Sequence, residues 1–329
     1  MNVVEAADRF QRRHRSVAYV LAVAYKYADD QGGFLAALIT YYGFLSLFPA
    51  LLLLTTVSGY LLAGDTAAQQ RILDSAVGNF PVIGDALRNN LGTIHGSPIA
   101  ILVGVLGLLY GVLGVGQAIQ QAFNQAWAVP RNARPNPFRS RLKSLALVLL
   151  AGSVLVVSTG LTGVGSASGT LDSRLPGMGR LLLLVAALAT NLVVFVVAFR
   201  LLTSREVKIR DLLPGALAGA LAWQALQALG TTYVSRILSR STDIYGAFGI
   251  VLGLVAWIYL AATIVVLAAE MNVVFACRLW PRSLLAPFTD GSPLTPADRR
   301  AYASYVEMSR HKASERISVS FDEPRSAKR

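Results

Sequence analysis

From Gly246 to Ala269 the chain runs for 24 residues without a charge, and the run is then interrupted by a single acid, Glu270, followed by Asn272. A helix needs only about 20 apolar residues to cross the hydrocarbon core of a bilayer. A carboxylate placed inside such a helix is costly unless it is paired, hydrated or near the headgroups. This stretch therefore fixes the class of the molecule: an all-α polytopic membrane protein, with an unusual residue near the end of one crossing.

The rest of the chain agrees. Only 15% of the 329 residues are charged and 54% are hydrophobic, where a soluble domain would be about 25% charged. A single cysteine, Cys277, excludes an internal disulfide, and the scattered His14, His95 and His311 do not form a histidine-cluster metal site. No cleavable signal peptide is expected: the first apolar run begins at Val17, after Glu5 and Asp8, and meets Lys26 and Asp29-Asp30 in place of a small-residue cleavage site.

The hydropathy pattern predicts six spans. They are about Phe34–Ala63, Pro98–Ala118 (continuing as a polar helix to Trp127), Leu142–Gly163, Arg180–Leu202, Leu212–Tyr233 and Tyr245–Cys277. Residues 1–33 form a terminal segment, 34–277 the membrane domain, and 278–329 a charged, proline-containing tail read as mostly mobile. One short helix is predicted in that tail at Pro296–Met308. Val17–Ala28 is too short to span. Its Tyr19, Tyr25, Lys26 and Tyr27 suit an interfacial helix at the headgroups, and a helix packed on the bundle fits equally. Gly32-Gly33 are expected to end it.

Six crossings put both termini on one side. That side carries five Lys or Arg before the first span, five over 131–143, four over 200–210 and ten after Cys277; the other side carries six in all. Cytoplasmic loops are the basic ones, so both termini are expected inside the cell. The same bias accounts for the net charge of +12 without nucleic acid, and no basic patch is interleaved with aromatics on a soluble module. Membrane lipids are the expected partners.

Three spans carry G-x-x-x-G, at Gly107/Gly111, Gly215/Gly219 and Gly249/Gly253. They are read as close packing within one chain. Pro49 cannot donate to the carbonyl of Leu45, so a kink is expected there, with Ser46 placed to relieve the freed backbone. Polar residues within spans are Asn191, Gln224, Gln227 and, at the end of span two, Gln117, Gln120, Gln121 and Asn124. They either line a cavity or hydrogen-bond between helices, at about 0.6 kcal/mol each, and the structural reading is preferred. Glu270 lies some 37 Å along its helix at about 1.5 Å per residue, beyond the hydrocarbon thickness of about 30 Å. Arg200, at the same end of span four, is its candidate ion-pair partner, and structural and functional roles for Glu270 stand level.

Two stretches carry a family resemblance. FLAALITYYGFLSLFPALLLL, from Phe34, resembles the AAALAYYALLSLFPLLL signature of the YihY/virulence factor BrkB group of bacterial inner-membrane proteins. The run from Arg210 resembles its second half, with LPGAL, YGAFG, a W-x-Y element and AAEMN where the family has GAELN. The resemblance spans about Gly33–Ala276 and implies a six-helix protein of the bacterial cytoplasmic membrane. It also implies a doubtful older label, ribonuclease BN, that these residues do not favour. No family motif names a catalytic residue, so the carried-over candidates are Ser46, Pro49, Tyr245, Gly246 and Glu270. No cofactor is expected. The functional expectation is a transporter or lipid-handling protein of the envelope. A scaffold for an envelope protein partner comes second, and a membrane-embedded enzyme last.

Overall fold

The computed structural model describes residues 3–61, 98–147, 149–150, 178–233, 247–289 and 292–322, and among these every regular element is helical. In chain order these are α1 (Val3–Arg13), α2 (Arg15–Asp29), α3 (Gly32–Leu61), α4 (Pro98–Ala126), α5 (Met178–Leu202), α6 (Ile209–Tyr233), α7 (Ala247–Cys277) and α8 (Pro296–Met308), with a 3-10 turn at Arg131–Ala133. Residues 137–147 are also helical. Among the described residues, four stretches are long and apolar enough to cross a membrane: Gly104–Ala126, Leu184–Leu202, Ile209–Gly230 and Val251–Cys277. Gly32–Leu47 is a shorter apolar helix. The predicted third span lies largely outside the described residues, as do Tyr245 and Gly246.

Close approach sets the packing. α3 lies on α4, and a side-chain carbon at Gly107 would sit 2.9 Å from Pro49 Cγ, while one at Gly111 would meet the Ser46 backbone. α6 lies on α7, where a Cβ at Gly215 would collide with the carbonyl oxygen of Ala268. In lipid no hydrophobic force gathers helices, so such small-residue seams supply the contact that holds them. The two G-x-x-x-G seams thus close within the chain. Pro49 is accommodated inside α3. Ser46 does not relieve the Leu45 carbonyl as expected; its hydroxyl donates to Gly43 O at 2.8 Å.

Below these seams Phe123, Phe199, Leu202, Leu212, Val266 and Val274 form the buried core at one end of the bundle. The outward sides of α5 stay apolar and uncovered, at Leu181, Leu184, Val185 and Val193, as lipid-facing surfaces do.

The terminal segments depart from expectation. α2 packs along α7 through one stripe, Ala18, Ala22 and Lys26, with Tyr19 Oη donating to Met271 O at 2.8 Å. It is therefore a helix docked on the bundle, with Val17 and Val20 left on its outer side. The break after it falls at Gln31, whose φ is 55°; Gly32 starts α3, because any larger residue there would strike the Tyr27 ring. The segment after Cys277 is also docked over residues 279–289 and 292–301, since Arg282 is wholly buried and α8 is anchored by a capping box between Thr295 and Asp298. α8 coincides with the predicted helix.

Candidate functional site: a buried charge cluster beneath an end cavity

Both terminal segments meet at one end of the molecule. Gln11 Nε2 donates to Arg282 O at 2.5 Å and Tyr25 Oη to Leu284 O at 3.1 Å. The 127–134 connection joins them through Asn132 N donating to Arg310 O, and the 203–209 connection reaches the end of α4 through Ser204 N donating to Asn124 Oδ1. The four basic segments counted on one side of the sequence therefore share one end.

At this end the helices enclose a cluster of charge. Lys26, 1% exposed, forms an ion pair with Asp30 one turn later, lies 3.5 Å from Glu270 Oε2, and donates to Ala126 O at 3.0 Å. Glu270 has no exposed surface at all. Its partner is Lys26 and not Arg200, which is exposed at the end of α5. The reason is positional: α2, docked on α7, reaches Glu270 first. Among the described residues neither Glu270 oxygen nor Asp30 Oδ1 has a hydrogen-bond donor, so two carboxyl groups share one ammonium. Burial pushes the Lys26 ammonium down, but the Glu270 and Asp30 carboxylates outweigh it and hold the group above its ordinary value. Burial raises Asp30 despite the lysine.

A second pair of acids flanks the first. Arg282 Nη1 donates to Asp29 Oδ2 at 2.6 Å and its Nε to Asp298 Oδ1 at 2.9 Å, with Tyr25 and Tyr302 on its faces. Those two carboxylates hold the guanidinium above its usual range in spite of burial. Tyr305 bridges the groups: its hydroxyl donates to Asp29 at 3.2 Å, and Lys26 sits 5.2 Å over its ring. Removing ions from water costs several kcal/mol each, so such a network is stable only when every member is partnered.

A cavity of about 510 Å³ opens beside the cluster. Lys26 forms part of its wall together with the ends of three spanning helices: Trp127 after α4, Ser204 and Arg205 after α5, and Val273 and Cys277 on α7. Among the described residues, the buried Trp127 Nε1, Ser204 Oγ and Arg310 Nε lack hydrogen-bond partners. The cavity thus combines apolar walls with spare donors and the cation Arg205, which lies over the Trp127 ring.

The other sequence candidates separate. Gln120 bonds Ser140 and Ser144, and Gln121 accepts from Arg134 at 2.9 Å, so both tie helices or loops together. Asn191, Gln224 and Gln227 are half-buried on α5 and α6, away from the cluster, and Gln117 is exposed. Asn272 accepts from Gly215 N at 2.7 Å, fixing α6 to α7. Sequence reasoning placed Lys26 at the headgroups and did not name it, Asp30, Arg282 or Asp298 as site residues. The signals were the Lys26/Asp30 spacing of four and the T-x-x-D of Thr295–Asp298.

The Virulence factor BrkB family profile matches residues 23–287. This chain belongs to that family. It is 25% identical over 261 residues to the putative ribonuclease-like protein YfkH of Bacillus subtilis, covering 77% of this chain and 93% of YfkH. It is 25% identical over 284 residues to the inner membrane protein YhjD of Escherichia coli, covering 81% and 83%. A UPF0761 membrane protein of Alteromonas mediterranea is 28% identical over 180 residues, or 54% of this chain and 58% of the relative. No solved structure matches.

Proposed function

We propose that this BrkB-family membrane protein handles lipid in the bacterial cytoplasmic membrane, receiving a polar, anionic group in the cavity beside Lys26. The observation that carries the reading is the cavity itself: apolar walls, Arg205, and spare donors on Trp127, Ser204 and Arg310. Unsatisfied buried donors are expensive to keep, at about 1–3 kcal/mol each. A site that retains three of them beside a cation is suited to an acceptor-rich ligand. The basic segments at this end favour placing it, with both termini, on the cytoplasmic side. Its place at the helix ends favours a lipid headgroup over a solute crossing at mid-membrane. On this reading Glu270 and Lys26 position the wall of the cavity, no catalysis is involved, and the ribonuclease-like name of YfkH does not extend to this chain.

The test is reconstitution of the full chain into liposomes with fluorescent phospholipid and, separately, a small labelled solute. Lipid movement is expected for the wild type, falling about tenfold in Trp127→Phe, as loss of one hydrogen bond to a charged group predicts. Absence of both movements would favour a scaffold for an envelope protein. Solute movement alone would favour a channel or solute carrier.

A further inference from the structure

Around the corner from that cavity lies a second and larger cleft, of about 1000 Å³, to which five separate segments contribute arginines. Arg12 comes from α1, Arg15 from the start of α2, Arg210 from the start of α6, Arg278 from just beyond α7, and Arg300 from α8. The one acid in its wall is Asp211. Arg12 is taken by Asp8 at 2.7 Å, and Arg210 lies 3.8 Å from Asp211. Among the described residues Arg15, Arg278 and Arg300 have no carboxylate within ion-pair distance. Arg278 holds the left-handed φ of 51°, unusual outside glycine, and Arg300 donates to its carbonyl at 2.6 Å. These two arginines are thereby fastened to each other at the cleft.

The surroundings identify the ligand's other half. Phe275, 43% exposed, and Trp280 line the same cleft, and Ile209 and Leu213, next to Arg210 on α6, are also uncovered. α6 begins and α7 ends here, so the cleft lies where spanning helices leave the apolar layer. An amphiphile with an anionic head would meet guanidinium above and exposed hydrocarbon below. Topological charge alone does not call for this arrangement. Arg131, Arg139 and Arg141 satisfy the same side-of-membrane bias yet do not line this cleft.

We propose that this cleft binds the phosphodiester headgroup of an anionic phospholipid from the surrounding leaflet. Arg15, Arg278 and Arg300 are its ligands, and Phe275 and Trp280 flank the glycerol region. Guanidinium suits this task because its planar fork meets two phosphate oxygens at once. The proposal does not depend on the cavity beside Lys26: the cleft can hold lipid whether or not lipid is moved.

The experiment titrates the full chain, in neutral detergent, with short-chain phosphatidylglycerol, short-chain phosphatidylcholine or inorganic phosphate, by calorimetry. Saturable binding of phosphatidylglycerol is expected, with phosphatidylcholine weaker and phosphate unable to displace it at equal concentration. Arg15→Gln and Arg278→Gln should each weaken it about fivefold, the value of one basic side chain at an anionic surface. Arg278→Lys should fall between, and the pair Arg139→Gln/Arg141→Gln should change nothing. Each variant's thermal unfolding midpoint checks that it is folded. Equal binding of the two lipids, displacement by phosphate, equal loss in the Arg139/Arg141 pair, or no binding by the wild type would each overturn the proposal.

Discussion

Gly215 and Lys26 both bring a neighbour against α7, and they do so by opposite means. At Gly215 the backbone of α6 comes so near Ala268 O that no side chain fits, and Asn272 adds a hydrogen bond. At Lys26 a long cation reaches into α7 and meets Glu270, with Asp30 closing the other side. The first is a contact between backbones that lipid cannot replace. The second is a buried charge cluster where terminal segments cover the helix ends. The seam resists separation through shape, while the cluster depends on each ion keeping its partner.

That contrast is tested most severely at Lys26. Lys26→Met leaves Glu270 and Asp30 buried without their cation, and should lower stability by about 3–5 kcal/mol. Adding Glu270→Gln should restore more than half of the loss, because one of the stranded charges goes with it. Equilibrium unfolding in mixed detergent micelles measures both. Full additivity of the two substitutions would show that they do not form one unit. Raised salt should leave the wild-type value nearly unchanged, since screening does not reach buried pairs.

The seam gives the next largest effect. Gly215→Ala drives a methyl group into Ala268 O and should cost about 3 kcal/mol, the upper end for overpacking. Gly33→Ala is the counterpart: its Cβ would lie 3.5 Å from Tyr259 Oη, ordinary contact. There the better helix propensity of alanine should leave stability unchanged or raised by up to about 1 kcal/mol. Equal losses at the two glycines would mean that the seam is no tighter than the rest of α3 and α6.

A smaller loss is expected where the cluster holds the tail. Asp298 accepts from Arg282, Ser283 N and Thr295 N at once. Asp298→Asn should cost about 2 kcal/mol, as for loss of a hydrogen bond to a charged group. Faster proteolysis between Pro281 and Met308, with α7 intact, is the measurement. It would show α8 opening locally ahead of the bundle.

The elements were more legible than their junctions. Long uncharged runs admit one solution in lipid, so α3 to α7 lie within a few residues of the predicted spans where the chain is described. Glu270 was visible because a lone acid in such a run has no local excuse. Its partner was not, because pairing depends on which helix docks beside it. Arg200 matched in height along the bundle, but Lys26 arrives on α2, whose length suited an interfacial helix as well as a packed one. The tail misled for a similar reason. Its charges read as solvated, yet Arg282, Asp298 and Asp29 neutralise one another only once they meet in space. Composition records charge, and pairing across 250 residues leaves no local mark.

The smallest effect is a pH dependence confined to the covered end. Burial pushes Tyr19 up to about 12 and Tyr305 higher still, and the flanking carboxylates hold Lys26 above its ordinary value. All three pKa values are higher folded than unfolded, so each contribution is complete below the unfolded value and is lost as pH rises toward the folded one. For Tyr19 that window runs from 10.0 to about 12. Asp30 has the same sign at the acid end, so lowering the pH through the carboxylate range does not weaken this group. Above the carboxylate range, thermal unfolding midpoints should therefore stay level up to roughly pH 10 and decline beyond it. Tyr19→Phe should lower the midpoint slightly at every pH, through the lost bond to Met271 O, while flattening the alkaline decline. The flattening will be modest, since Tyr19 is only half-buried and solvent screens it. An alkaline slope unchanged in both Tyr19→Phe and Tyr305→Phe would place the loss elsewhere than in the packing of α2 and α8 against the bundle.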